Sequence, residues 1–177
     1  MLIPALYICK GDYSLFFKKP KKRDILTIIL CIIASYIYTI AVSTILGLLG
    51  FPTSANSALT AFTSPSVFLI ISSLMQLLGE EFFKILLLLT IMHVVYKTTN
   101  NRGLSITLGV IGTLFIFGII HSSAYSGRIL QILLIQGLGS IFDLYGYMKT
   151  KNVVVSYIIH VIIDYIPFTI MMLNNNF

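Results

Sequence analysis

The chain has 177 residues, of which 57% are hydrophobic and only 10% are charged, and its formal net charge is +6. Soluble domains carry about 25% charged residues, so this composition, with a mean hydropathy of +0.95, excludes an ordinary soluble domain and indicates an integral membrane protein. The basic residues stand beside the ends of apolar stretches rather than along one polar face, which speaks against nucleic-acid binding. Cys9 and Cys31 lie before and inside the first apolar stretch, and they predict no disulfide.

Five apolar stretches are long enough to cross a bilayer as helices. About 20 residues at 1.5 Å per residue match its roughly 30 Å hydrocarbon layer. The stretches cover residues 25–51, 67–96, 104–121, 129–148 and 153–173. We therefore predict an all-α fold, a polytopic membrane helical bundle of about five transmembrane helices in one domain over 25–173. Residues 1–24 are predicted to form a basic cytoplasmic or interfacial segment, and 174–177 a short tail.

The positions of Lys and Arg along the chain predict its orientation in the membrane. Basic residues precede the first stretch and occupy the links after the second and fourth: Lys18, Lys19, Lys21, Lys22, Arg23, Lys97, Arg102, Lys149 and Lys151. The links after the first and third stretches, and the residues after the fifth, carry only Arg128. Because cytoplasmic loops are enriched in Lys and Arg, the N-terminus is predicted in the cytoplasm and the C-terminus outside, in a multi-pass protein of the cell membrane.

Four of the six acidic residues fall inside the predicted spans: Glu80, Glu81, Asp143 and Asp164. A charged carboxylate at mid-bilayer costs at least about 2.5 kcal/mol on insertion scales, so each should face the bundle interior, a partner or water. Lys84 lies about one turn from both glutamates, so a structural ion pair would also explain them. Adjacent residues of a helix point about 100° apart, which predicts that one glutamate acts at a cavity while the other supports it.

Two histidines extend this polar set. His160 and Asp164 are spaced i, i+4 and so share one face of the fifth span. His121 ends the third span, where by itself it could be an interfacial cap. Polar groups that converge from several helices are typical of sites inside helical bundles. A buried carboxylate and a histidine can take a proton from water, and a second histidine with an aspartate can stabilise an oxyanion, which is the chemistry of peptide hydrolysis.

Three short motifs, in this order, resemble those of the CPBP family of intramembrane proteases, the CAAX prenyl protease and bacteriocin-processing group. They are Gly79-Glu80-Glu81-Phe82-Phe83-Lys84, Phe117-Gly118-Ile119-Ile120-His121 and His160-Val161-Ile162-Ile163-Asp164. The resemblance covers roughly residues 66–170. One position departs from it, because the family's arginine five residues after the first glutamate is Ile85 here, and Lys84 stands one residue earlier.

The resemblance implies an intramembrane endopeptidase that hydrolyses a membrane-associated or lipidated peptide. The catalytic residues that it implies are Glu80, His121, His160 and Asp164, and the supporting residues are Glu81 and Lys84. The first two would activate the attacking water, and the next two would stabilise the oxyanion. Glu80, His121 and His160 could instead hold a catalytic zinc, although we favour the version without metal or other cofactor. The expected partners are the lipid bilayer and the peptide, with no nucleic acid.

Two other functions are compatible with polar residues buried in a bundle. A non-catalytic bacteriocin-immunity or membrane scaffold protein would use the same cavity for binding. A proton-coupled carrier would also bury glutamate and histidine, but the sequence contains neither the internal repeats nor the paired broken helices common in carriers.

Overall fold

The computed structural model describes residues 16–51, 53, 54 and 66–174, together with the single residues 10, 12 and 14. Throughout these residues the regular elements are helical and no strand is present, which confirms the predicted all-α class. Half of the N-terminal segment predicted over 1–24, and residues 175–177 of the predicted tail, lie outside the described residues.

Five helices build the described part of the protein: α1 Lys22–Leu48, α2 Val67–Thr99, α3 Arg102–Ile120, α4 Ile129–Thr150 and α5 Val153–Asn174. A 3₁₀ turn at Ser122–Tyr125 joins α3 to α4, and α4 contains a π-helical turn at Ile132–Gly137. Each predicted stretch corresponds to one helix, with ends that differ by a few residues. The first helix begins at Lys22 rather than residue 25, and His121 follows the end of α3 instead of lying within it.

Four of the described helices, α1, α3, α4 and α5, are long and apolar enough to cross a membrane. The longest helix, α2, has 33 residues and differs from them by carrying two glutamates and a lysine in its middle. Large apolar side chains cover the outer face of α1, where Leu26, Ile37 and Ile40 are each more than 60% exposed. An apolar surface of this kind suits contact with lipid.

Polar residues fix where α2 and α3 begin and how short the link between them is. The Ser66 side chain accepts a hydrogen bond from the backbone N–H of Leu69 at the start of α2 (3.1 Å). Asn101 does the same for Leu104 at the start of α3 (3.0 Å). Such caps satisfy amides that no helical carbonyl can reach. Asn100 closes α2 in the left-handed conformation, with φ 50°, so the link between the two helices needs only two residues.

The main core lies between α2, α3, α4 and the chain just before α1. Its buried members are Phe16, Phe82, Ile85, Leu88, Leu114, Leu144, Tyr147 and Val153. The rings of Phe16 and Phe17 meet the Phe82 ring edge-on, with centroids 5.7 and 5.6 Å away. In the link between α4 and α5, the Asn152 side chain donates to the Lys18 carbonyl at 2.8 Å and accepts from its N–H at 3.1 Å. The described end of the N-terminal segment is therefore docked into the bundle.

Helices α3 and α4 approach each other closely at a pair of glycines. A Cβ on Gly118 would lie 2.8 Å from the carbonyl oxygen of Ile132, and a Cβ on Gly137 would lie 2.8 Å from that of Leu114. Real Cβ atoms do not come this close to backbone oxygens, so only glycine fits at both positions. The contact holds the end of α3, just before His121, against the π-helical turn of α4.

Candidate active site

A cavity of about 630 Å³ lies among the five helices. Its wall includes Glu80 from α2, His121 from the residue that follows α3, Asp143 from α4, and His160 and Asp164 from α5. The structure therefore brings to one cavity all four residues that the sequence suggested as catalytic.

Glu80 lies between the two histidines at the wall of this cavity. Its Oε2 atom is 3.7 Å from Nε2 of His121 and 3.8 Å from Nε2 of His160, while Oε1 accepts a hydrogen bond from Gln76 at 3.0 Å. The two longer separations exceed a direct hydrogen bond, so a water or a substrate oxygen can contact the carboxylate and an imidazole together. Nδ1 of His121 is 2.8 Å from the carbonyl oxygen of Phe117. Because that oxygen can only accept, Nδ1 carries the hydrogen and Nε2 of the neutral ring is an acceptor.

His160 has carboxylates beside both of its ring nitrogens. Nδ1 donates to Oε1 of Glu81 at 2.8 Å, and Nε2 faces Glu80 and also Oδ2 of Asp164, which is 3.6 Å away. The i, i+4 spacing thus places His160 and Asp164 on the same side of α5, as the sequence predicted. Since Nδ1 donates to Glu81, Nε2 carries a hydrogen only when the ring is an imidazolium.

Glu81 points away from the cavity into a buried polar cluster. Its side chain is only 1% exposed, and it contacts Lys84, His160 and the hydroxyl of Ser156. Lys84 is fully buried and also forms an ion pair with Asp143 of α4. Buried charges are tolerated when they are paired and hydrogen-bonded, so this cluster explains how α2 keeps a glutamate and a lysine inside the bundle.

Asp143 and Ser156 were not among the predicted site residues. Asp143 was visible as an acid inside a span, but 59 residues separate it from Lys84, and no motif or spacing connects the two. Its Oδ1 atom is buried and has no hydrogen-bond partner among the described residues. Ser156 belongs to the small residues that precede His160 in the sequence, but small residues are too common in transmembrane helices to indicate a site. Only the packing of the helices identifies both residues as members of the cluster.

One group of three side chains in the described part of the chain could share a metal ion. The ligand atoms of Glu81, Asp143 and His160 all lie within 4.8 Å of one another. The sequence suggested Glu80, His121 and His160 as the ligands of a possible zinc, and only His160 belongs to both groups. Lys84 already pairs with both carboxylates, so a metal ion there would have to displace its ammonium group.

The comparisons with known proteins agree with the motifs. A family model described as Rce1-like, type II CAAX prenyl endopeptidase, matches residues 61–166. This region holds all three motifs and more than half of the chain. No curated protein and no solved structure matches the chain. The match confirms the resemblance to CPBP intramembrane proteases: the chain belongs to the Rce1-like family of type II CAAX prenyl endopeptidases, and with its apolar helices it is a membrane protein.

Proposed function

We propose that this protein is an intramembrane endopeptidase that hydrolyses a peptide bond in a membrane-associated or lipidated peptide. One observation carries the proposal. The Glu80 carboxylate faces the Nε2 atoms of both His121 and His160 on the wall of a cavity large enough for a peptide segment. A carboxylate between two imidazoles is suited to moving protons during hydrolysis.

Glu80 and His121 activate the attacking water in this proposal. A water beside Oε2 of Glu80 is also within reach of Nε2 of His121, which accepts protons in the neutral ring held by Phe117. As the water attacks the peptide carbonyl, its proton passes to one of these acceptors. The same group returns a proton to the departing amine, so the bond breaks to give a carboxylic acid and an amine.

His160 and Asp164 stabilise the oxyanion that forms at the carbonyl. The imidazolium of His160 donates Nδ1–H to Glu81 and keeps Nε2–H for the developing charge. Asp164, 3.6 Å from that nitrogen, contributes a donor in its protonated form. Glu81 and Lys84 do not reach the substrate; they hold His160 in position from the buried side.

We favour a mechanism without zinc. Glu80, His121 and His160 offer the carboxylate and imidazole ligands found in catalytic zinc sites, and the effect of a chelator on activity distinguishes the two mechanisms. The protein is proposed to lie in the cell membrane with its N-terminus in the cytoplasm and its C-terminus outside, because the basic residues gather at one end of the helices.

Cleavage of candidate membrane peptides by the purified chain tests the proposal. Wild type should release products that mass spectrometry detects, Glu80→Gln should not, and a chelator should leave the wild-type rate unchanged. Loss of activity with the chelator, restored by zinc, would replace the metal-free mechanism. A wild-type protein that binds these peptides and never cuts them would favour the immunity or scaffold function instead.

A further inference from the structure

Helix α5, which carries His160 and Asp164, contains a proline in its interior. Pro167 lies three residues after Asp164. Proline has no N–H, so the carbonyl oxygen of Ile163, four residues before it, cannot accept the usual helical hydrogen bond. The backbone of α5 therefore lacks one of its own hydrogen bonds at the residue that directly precedes Asp164.

A tyrosine of α1 donates a hydrogen bond to this carbonyl. The hydroxyl of Tyr36 donates to the oxygen of Ile163 at 2.8 Å, and it lies 3.3 Å from the oxygen of Ile162. The carbonyl of Ile162 does not depend on this donor, because the residue four positions after it is Ile166, which has an N–H. The shorter contact of Tyr36 is thus with the oxygen that the proline leaves without a helical partner.

Water in the cavity is the competitor of Tyr36 for this oxygen. Lipid offers no hydrogen bonds, so a carbonyl freed by proline in a membrane helix is satisfied by a neighbouring helix or by water. Tyr36 and Ile163 both stand on the cavity wall. Cys31 of α1 is buried in one apolar cluster with Ile159 of α5. This packing holds the two helices together and keeps the tyrosine within reach of the oxygen.

We propose that Tyr36 is a positioning residue of the site. Its hydroxyl replaces the hydrogen bond that Pro167 removes, and so fixes the turn of α5 that carries Asp164. Oδ2 of Asp164 lies 3.6 Å from Nε2 of His160, and a rotation of this turn would change that separation. Tyr36 acts through the backbone of α5 and takes no part in the chemistry. The inference rests on the proposed function for its effect on catalysis, but not for its effect on the structure.

A double-mutant cycle tests this hydrogen bond. Tyr36→Phe keeps the ring and removes the hydroxyl, and Pro167→Ala restores an N–H four residues after Ile163. Alone, Tyr36→Phe should lower the unfolding temperature in detergent by several degrees. It should lower kcat for a cleavable peptide by about 10-fold or more with little change in KM, because it misplaces groups at the reacting centre. Added to Pro167→Ala, it should have little effect on either quantity, because the helix then supplies the donor itself.

Tyr38→Phe is the matched control on the same helix. Tyr38 donates to the carbonyl oxygen of Leu134 in α4 at 2.8 Å, and the residue four positions after Leu134 is Leu138, which has an N–H. The loss of stability caused by Tyr38→Phe should therefore be the same with and without Pro167→Ala. Rescue of both tyrosine variants by Pro167→Ala would show a general effect of the straightened helix and would overturn the inference.

The surroundings of His160 can be followed without any substrate. In the full chain with isotopically labelled histidine, the NMR signals of His160 should shift in Tyr36→Phe and return toward the wild-type values in the double variant with Pro167→Ala. Equal effects of Tyr36→Phe in the two backgrounds, or unchanged turnover, would overturn the inference, while cleavage by wild type would keep the proposed function. Coupling in the unfolding temperature and the NMR signals of a wild type that cuts no peptide would support the role of Tyr36 in shaping the site and remove the proposed function.

Discussion

Glu80 and Glu81 are neighbours in the sequence, but their carboxylates have different surroundings. Glu80 is 17% exposed beside two imidazoles, whereas Glu81 is 1% exposed and paired with Lys84. Glu80→Gln keeps the shape of the side chain and removes its ability to accept a proton. We expect turnover of a cleavable peptide to fall at least about 100-fold, while the thermal unfolding temperature in detergent stays close to that of wild type.

Glu81→Gln should have the opposite pattern of effects to Glu80→Gln, with the larger loss in stability and the smaller loss in turnover. The amide leaves the ammonium of Lys84 with one carboxylate fewer, so the unfolding temperature should fall, and the loss of turnover should be smaller than for Glu80→Gln. Asp12→Asn serves as the control for removal of an exposed carboxylate. Equal turnover by wild type and Glu80→Gln would contradict the role of Glu80 as a base.

Lys84 links two helices through two buried carboxylates. In Lys84→Met the side chains of Glu81 and Asp143 lose their shared cation, and an unpaired buried charge typically costs about 3–5 kcal/mol. Denaturant unfolding should show this loss, whereas Lys97→Met, at an exposed position near the end of α2, should show almost none. The double variant Lys84→Met with Asp143→Leu should recover part of the stability. Equal stability of the two single variants would contradict the buried ion pair.

At the scale of the helices, the contact between α3 and α4 depends on glycine. Gly137→Ala places a Cβ 2.8 Å from the carbonyl oxygen of Leu114, whereas Gly139→Ala, two residues later, meets nothing nearer than a ring carbon of Tyr38 at 3.9 Å. We expect Gly137→Ala to lower both the unfolding temperature and the peptidase activity, because it moves His121 away from the rest of the site. Gly139→Ala should be close to neutral for stability. Similar unfolding temperatures for the two variants would show that the helices can separate without penalty.

The helices were predictable from the sequence because long apolar stretches between polar links have one stable form in a bilayer. The π-helical turn at Ile132–Gly137 was not, since it depends on how α4 packs against α3 and not on the residues of α4 alone. The same distinction applies to the site. The i, i+4 spacing of His160 and Asp164 predicted that they share one face of α5. In contrast, Asp143 lies in the cluster only because α4 packs against α2, which the sequence does not predict.

At the scale of the whole molecule, the uneven distribution of basic residues predicts which end of the bundle faces the cytoplasm. The test uses single cysteines in a chain where Cys9→Ser and Cys31→Ala remove the native thiols. An impermeant thiol reagent added to intact cells should label Ser126→Cys, in the link after α3, and should not label Thr98→Cys, at the end of α2. Labelling at position 98 with protection at 126 would reverse the orientation.

The ion pair between Lys84 and Asp143 also affects how the chain enters the membrane. The two residues are 59 positions apart, so during synthesis α2 emerges well before the carboxylate of α4 that helps to neutralise its lysine. Until then α2 presents two glutamates and a lysine to lipid, which disfavours stable insertion. Insertion of α2 should therefore be completed only when α4 arrives, and a nascent chain that stops after α3 should keep α2 at the translocation channel or at the membrane surface.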